Sequence, residues 1–189
     1  MHRPIAALLL AACLTAPAFA ADEVALLDEA RKVASAIPPK LLAVLGDEIG
    51  KGGVENAISV CREKAPKMAA AASAESGWAI RRVSLKNRNP KAVPDSWERA
   101  VLEDFDKRAA AGEKPVALEK GEVVAEGDKN VYRYMKALPT QELCLSCHGA
   151  AERISSNVKS KLDELYPADK AVGYDVGAVR GAITLKRPL

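Results

Sequence analysis

The chain has 189 residues, of which 49% are hydrophobic, and a formal net charge of +3, as expected for one folded domain. Because 28 basic residues are nearly balanced by 25 acidic ones, the charge indicates neither a nucleic-acid-binding protein nor a basic membrane-binding surface. Aromatic residues make up only 4% of the chain, so the core is expected to consist mainly of small aliphatic side chains.

The first twenty residues have the pattern of a secretory signal peptide. A short basic start leads into an apolar run over residues 5–14, which is too short to span a membrane, and small residues then predict cleavage before Ala21. No other stretch approaches the length of a membrane span. We therefore expect residues 1–20 to be removed and residues 21–189 to form a single periplasmic domain. A lipoprotein-like box ending at Cys13 is the less favoured alternative, and it would leave a lipid anchor on that cysteine.

The first third of the exported chain is predicted to be helical. Residues 22–36 and 40–50 are amphipathic at helical spacing and are separated by Pro38-Pro39, since proline is disfavoured inside a helix. A glycine-rich break at residues 50–53 precedes a third helix, in which apolar residues recur at spacings of three and four from residue 54 to residue 69.

The rest of the chain alternates between strand and helix patterns. The predicted elements are a strand over 78–85, a loop over 87–94, a helix from the capping box Asp95–Glu98 to near Gly112, strands over 116–118, 122–126 and 131–138 with turns at Lys120-Gly121 and Gly127-Asp128, a helix over 151–165 and a strand over 178–185. This order predicts an α+β fold in which helices pack on an antiparallel sheet.

Residues 144–148 read Cys-Leu-Ser-Cys-His, the C-x-x-C-H attachment signature of a c-type haem. The two thiols reach the vinyl groups along one porphyrin edge, and the imidazole of His148 then lies under the iron as its proximal ligand. A zinc half-site would need a second ligand pair, which the chain lacks, and a thioredoxin-like redox pair needs no adjacent histidine. We therefore predict one covalent haem c on Cys144 and Cys147.

The residue counts leave the second axial ligand of the iron open. Without residues 1–20, His148 is the only histidine, which excludes bis-histidine ligation and a second haem. The remaining donors are Cys61, Met68, Met135, a weaker donor, or none. Cys61 is either a small buried hydrophobic residue or an iron ligand, and an odd thiol in an oxidising compartment favours the second interpretation. Met68 lies about 10 Å further along the same helix, so the two cannot bind one iron.

Several spaced segments resemble the PAS-like c-type haem domain family. They are Ala57-Ile58-Ser59-Val60-Cys61 with Ala65-Pro66, Arg82-Val83-Ser84-Leu85 with Arg88-Asn89-Pro90, Pro94-Asp95-Ser96-Trp97-Glu98, Cys144-Leu145-Ser146-Cys147-His148-Gly149, Tyr166-Pro167-Ala168-Asp169, and Gly173-Tyr174 through Gly181-Ala182-Ile183. The resemblance covers nearly all of residues 21–189. One departure is Ala92, where the family often has asparagine.

This resemblance implies a PAS-like α+β fold with N-terminal and flanking helices, a covalent haem, and axial ligation of the iron by His148 and Cys61. Met135, on the strand leading into the motif, is retained as an alternative ligand, although its favoured interpretation is an apolar residue of the sheet. In the family pattern Arg82 and Arg88 flank a loop near the Cys61 helix, and two roles stay open for each: pairing with the haem propionates through the guanidinium fork, or a solvated position on the surface.

Two functions suit such a haem protein. A sensor of redox state or of a small gas such as CO or NO would use the weaker binding of a thiolate to Fe(II), and it would need a separate signalling partner. The alternative, a periplasmic electron-transfer cytochrome c, would keep both ligands in both oxidation states and exchange electrons with a redox partner protein. We expect the sensor. We do not expect an enzyme, because no second histidine is present to act as acid or base at the iron.

Overall fold

The computed structural model describes residues 18–189. Its helices are α1 (Ala18–Ser59), α2 (Ala65–Ser76), α3 (Ser96–Ala110), α4 (Leu145–His148) and α5 (Ser156–Leu165), and its strands are β1 (Ala79–Val83), β2 (Glu119–Glu126), β3 (Lys129–Pro139) and β4 (Val179–Pro188). Cys13 and most of the predicted signal peptide lie outside the described residues, so both remain predictions. None of the described helices has the length and apolar character needed to cross a membrane.

The four strands form one antiparallel sheet in the order β1-β4-β3-β2. One face packs against α3 through a cluster that includes Val83, Leu102, Phe105, Leu118, Met135 and Ala182. The other face packs against α1 through a cluster that includes Ala30, Ala34, Trp78, Tyr132, Tyr134 and Leu185. This arrangement is the α+β, PAS-like fold expected from the sequence. Helix α3 begins at the predicted capping box, in which Asp95 Oδ1 accepts from the backbone N–H of Glu98 at 2.9 Å.

Three predicted elements differ from the sequence prediction. Helix α1 continues through Pro38 and Pro39 and leaves helical geometry only at Gly52 and Gly53, because the φ angle of proline is itself helical and the helix loses only two backbone hydrogen bonds there. The predicted turn at Lys120-Gly121 is part of β2, and the predicted strand 116–118 is largely a 3₁₀ turn, Pro115–Ala117. Gly121 indicates a close contact rather than a turn, since a Cβ there would lie 2.7 Å from the Tyr132 hydroxyl.

A π-helical turn, Val60–Lys64, joins α1 to α2 and contains Cys61. The backbone N–H of Ala65 donates to the carbonyl of Val60, one residue further back than in an α-helix. Pro66 follows directly and has no N–H to donate. Such π turns interrupt α-helices mostly as single turns and are frequent at functional sites.

Candidate functional site

The C-x-x-C-H motif is folded as two short helical turns. Cys144 ends a 3₁₀ turn, Glu142–Cys144, and Cys147 and His148 lie in α4. The side chains of all three are half-buried. Gly149 closes the motif, and a Cβ there would lie 2.7 Å from the carbonyl oxygen of Leu145. A residue with a side chain would therefore push the turn open.

His148 is held in one orientation by the segment that precedes β4. Its Nδ1 lies 2.7 Å from the carbonyl oxygen of Ala171, and because a carbonyl can only accept, Nδ1 carries the proton and Nε2 is left free as a ligand atom. The backbone N–H of Tyr174 donates to the carbonyl of His148 at 3.0 Å, and that of Gly173 donates to Gly149 at 2.8 Å. The Tyr174 ring packs edge-on against the imidazole, with centroids 6.4 Å apart.

The imidazole of His148 is kept neutral. Burial is the main cause that lowers its pKa to about 2, and the positive charges of Arg180, Arg88 and Arg82 act in the same direction. Only a neutral imidazole has a lone pair for a metal, so the surroundings maintain the ligand-competent form.

Arg88 clamps the motif to the His148-orienting segment. Its Nε donates to Asp169 at 2.9 Å, and its Nη2 donates to the carbonyl of Cys147 at 2.6 Å and to that of Ala171 at 3.4 Å. Asp169 in turn accepts from the backbone N–H of Ala171 at 2.8 Å. The sequence left a propionate-binding role and a solvated surface position open for Arg88. The structure instead shows this side chain, 9% exposed, engaged by protein groups.

Cys61 lies next to the motif. Ile58, one turn earlier, packs in an apolar cluster with α5, Tyr166 and, at its edge, Cys147. Cys61 itself is half-buried. Burial is the main cause that raises the pKa of Tyr166, and the negative charge of ionised Cys61 is the next largest cause. Burial also raises the pKa of Cys147; Arg88 opposes this shift, and ionised Cys61 adds to it. The structure thus brings the upstream cysteine and the motif together.

Arg82 also faces this site. It lies on the same side of β1 as Ile80, which packs on the α1 face of the sheet. Its side chain is exposed, yet desolvation by the surrounding protein lowers the pKa of its guanidinium, while ionised Cys61 and Cys144 would raise it. A side chain that is both accessible and desolvated lies in a recess rather than on a convex surface.

The two methionines are placed elsewhere. Met135 is fully buried in the cluster on the α3 face of the sheet, opposite to the face where Arg82 lies, so the structure does not bring it to the motif. Alternation along β3 explains this, because neighbouring Tyr134 points to the α1 face. Met68 is half-buried in α2, two turns beyond Cys61.

Sequence reasoning missed three residues that complete the site, namely Asp169, Tyr174 and Arg180. Asp169 and Tyr174 lie in segments that carried the family resemblance, but their partners Arg88 and His148 are distant in sequence. The role of Arg180 could be predicted only with knowledge of the strand register, although Gly181 beside it is a sequence signal for a bulge.

The described residues also bear on a bare metal site and on the protonation of the motif's second thiol. Within residues 18–189, no group of three or more His, Cys, Asp or Glu side chains is arranged to hold a metal ion. Burial raises the pKa of Cys147 to about 11, so this thiol is protonated at neutral pH.

Comparison with known proteins gives one family and one solved structure. The family model described as Tll0287-like matches residues 17–188. A solved structure, "Crystal structure of the cyanobacterial heme-protein Tll0287", superposes with a TM-score of 0.60 at 25% sequence identity, covering 92% of this chain and 97% of that one. No curated protein matches the sequence.

Proposed function

Because this chain belongs to the Tll0287-like family, we propose that it is an exported protein that carries one haem c on Cys144 and Cys147. The solved relative is a haem protein, and this chain has the attachment signature with its histidine already oriented. That oriented His148 in a C-x-x-C-H turn is the observation on which the proposal rests most. When bound, the haem would supply a one-electron iron centre that can also take a small gas ligand.

The residues present fit such a group. Cys144 and Cys147 would hold it through thioethers, each thiol S–H adding across one vinyl double bond. His148 offers Nε2 from the neutral tautomer, and Cys61 is the donor that the fold supplies next to the motif. We therefore propose that His148 and Cys61 would both bind the iron and that Arg82 would face the propionates.

We further propose that the protein senses redox state or a small gas rather than catalysing a reaction. A thiolate is a weak donor to Fe(II), and its protonated form is weaker still, so Cys61 is expected to release the iron on reduction. Cys61 lies in a π turn between two helices, where a change in its position can be passed to α1 and α2. Catalysis at the iron would need a free acid or base nearby, whereas His148 would be used as a ligand and Asp169 is paired with Arg88.

Intact mass tests the attachment. Protein made with a haem c maturation system should weigh the polypeptide plus one complete haem, because thioether formation loses no atoms. The double variant Cys144→Ala/Cys147→Ala should weigh the polypeptide alone. A wild-type mass without haem would contradict the proposal, and the same spectrum would show whether cleavage occurs before Ala21 or at Cys13.

Carbon monoxide distinguishes the sensor from a periplasmic electron-transfer cytochrome c. If Cys61 leaves on reduction, the reduced protein should bind CO or NO, and its absorption spectrum should change on addition of the gas. A reduced protein that ignores CO and exchanges electrons rapidly with a redox partner protein would favour the electron carrier.

A further inference from the structure

Strand β4 has a β-bulge at Arg180, beside the site. Leu138 of β3 pairs with Gly181, and the next residue, Pro139, pairs with Val179, so Arg180 is the extra residue of the bulge. Gly181 has a φ angle of +145°, and a Cβ there would lie 2.3 Å from a backbone carbonyl at the end of β1. A bulge breaks the alternation of side chains along a strand and redirects one of them, often next to a functional site.

The redirected side chain of Arg180 is buried, with 5% exposure, but only partly hydrogen-bonded. Its Nη1 donates to Ser84 Oγ at 3.0 Å and to the carbonyl of Lys86 at 3.3 Å. The guanidinium lies 5.2 Å from the ring centroid of Tyr174, the same ring that packs against His148. Among the described residues, Nε of Arg180 has no hydrogen-bond partner. A buried donor left without an acceptor is costly, so an acceptor is expected to bind there.

Positive charge is in excess around this donor. Arg88 is paired with Asp169, whereas Arg82 and Arg180 form no ion pair with any of residues 18–189. Burial, and after it the positive charge of Arg82, lowers the pKa of Arg180 to about 9. After burial, Arg180 is the strongest influence that lowers the pKa of His148. Two guanidinium groups therefore lie near the imidazole without a compensating anion from the protein.

We propose that Arg180 and Arg82 form a paired-guanidinium site for the carboxylates of the haem, its two propionates. This inference rests on the haem binding proposed above. Two uncompensated positive charges match two carboxylates, and the planar guanidinium fork binds a carboxylate through parallel N–H donors. Arg88 is not part of this site, because Asp169 and the backbone carbonyls of Cys147 and Ala171 already occupy its donors.

The test compares two substitutions in the haem-loaded protein, Arg180→Gln and Arg82→Gln. Each should shift the propionate bending band in the resonance Raman spectrum and lower the reduction potential of the iron, because an uncompensated propionate charge favours Fe(III). Arg180→Lys keeps the charge without the fork, so it should shift the band but lower the potential less than Arg180→Gln.

Arg133→Gln is the matched control. Arg133 is also a buried strand arginine, 6% exposed, with an unpartnered Nε, but it packs over Trp97 and pairs with Asp95 on the α3 face. This control should change neither the band nor the potential.

Four outcomes separate the explanations. If both Arg180 variants fold and leave the propionate band and the reduction potential unchanged, Arg180 serves only to hydrogen-bond Ser84 and Lys86, and the inference is wrong. The inference also fails if Arg133→Gln gives the same shifts. If Arg180→Gln does not fold, the propionate band is measured in Arg180→Lys and in Arg82→Gln instead. A shifted band in both supports the inference, and an unchanged band in both contradicts it. Wild-type protein without haem would instead contradict the proposed function itself.

Discussion

At the scale of single residues, Arg88 connects parts of the chain that are far apart in sequence. It binds the carboxylate of Asp169 and two backbone carbonyls, one from the motif and one from the segment that orients His148. Removing the guanidinium would leave a largely buried carboxylate without its charge partner, and that loss is more damaging than losing an ion pair on the surface.

We predict that Arg88→Gln lowers the free energy of unfolding by about 3 kcal/mol, the lower end of what breaking a buried ion pair costs. Chemical denaturation followed by circular dichroism measures this. Arg108→Gln is the control, because the pair that Arg108 forms with Glu113 lies at the surface, with side chains 35% and 41% exposed, and should contribute under about 1 kcal/mol. Equal effects of the two variants would show that the clamp is not a major source of stability.

Cys61 gives a second prediction at this scale. Ferric protein should show the low-spin EPR and absorption features of a thiolate and imidazole pair, and Cys61→Ser should abolish them because serine is a poor iron donor. Met68→Leu and Met135→Leu should leave the spectrum unchanged, since the structure places neither methionine at the motif. An unchanged spectrum in Cys61→Ser would reduce Cys61 to a residue of the apolar cluster.

At the scale of secondary-structure elements, the π turn between α1 and α2 is the element most suited to respond to the iron. Its hydrogen-bonding pattern is interrupted next to Pro66, so it has fewer regular backbone bonds to lose than the sheet has. Ile58 and Val54, near the end of α1, pack against α5. A displacement of Cys61 would therefore shift the contacts of both helices.

We predict that reduction increases amide hydrogen exchange over residues 54–69, because release of Cys61 removes a tether from this segment. Residues 131–138 of β3 are the internal control, since they pair on both sides within the sheet and should exchange equally slowly in both oxidation states. Exchange that is the same for residues 54–69 before and after reduction would argue for an electron carrier.

At the scale of the whole molecule, the neutral state of His148 couples folding to pH. Its pKa of about 2 in the folded protein lies below its ordinary value of 6.5. Between these two pH values, the unfolded chain binds a proton at His148 and the folded chain does not. Stability should therefore fall as the pH decreases below about 6.5.

Between pH 6.5 and 5, where carboxylates contribute little, we predict that the free energy of unfolding of the haem-free chain falls by at most about 1.4 kcal/mol per pH unit, the value for one proton. Denaturation of the Cys144→Ala/Cys147→Ala variant over this range measures the slope. Adding His148→Gln should flatten it, as no other histidine is present in residues 21–189.

What the sequence predicted follows from the range of the interactions involved. The capping box at Asp95 and the strands β1 and β3 depend on neighbouring residues and periodicity, and these predictions are confirmed. The clamp by Arg88 depends on Asp169, which is 81 positions away, and the redirection of Arg180 depends on a register shift between two strands. Neither can be predicted from the local sequence pattern, although a glycine inside a strand, such as Gly181, indicates where a bulge can occur.

The strand order has a consequence for how the protein is made. β4 is the last strand of the chain, yet it lies between β1 and β3, and the segment that fixes His148 immediately precedes it. In a chain that emerges from its amino terminus, the sheet cannot close and the imidazole cannot be fixed in its orientation until β4 has emerged. In the exported, haem-carrying protein proposed above, the thiols of Cys144 and Cys147 would therefore stay accessible for haem attachment until β4 has folded into the sheet.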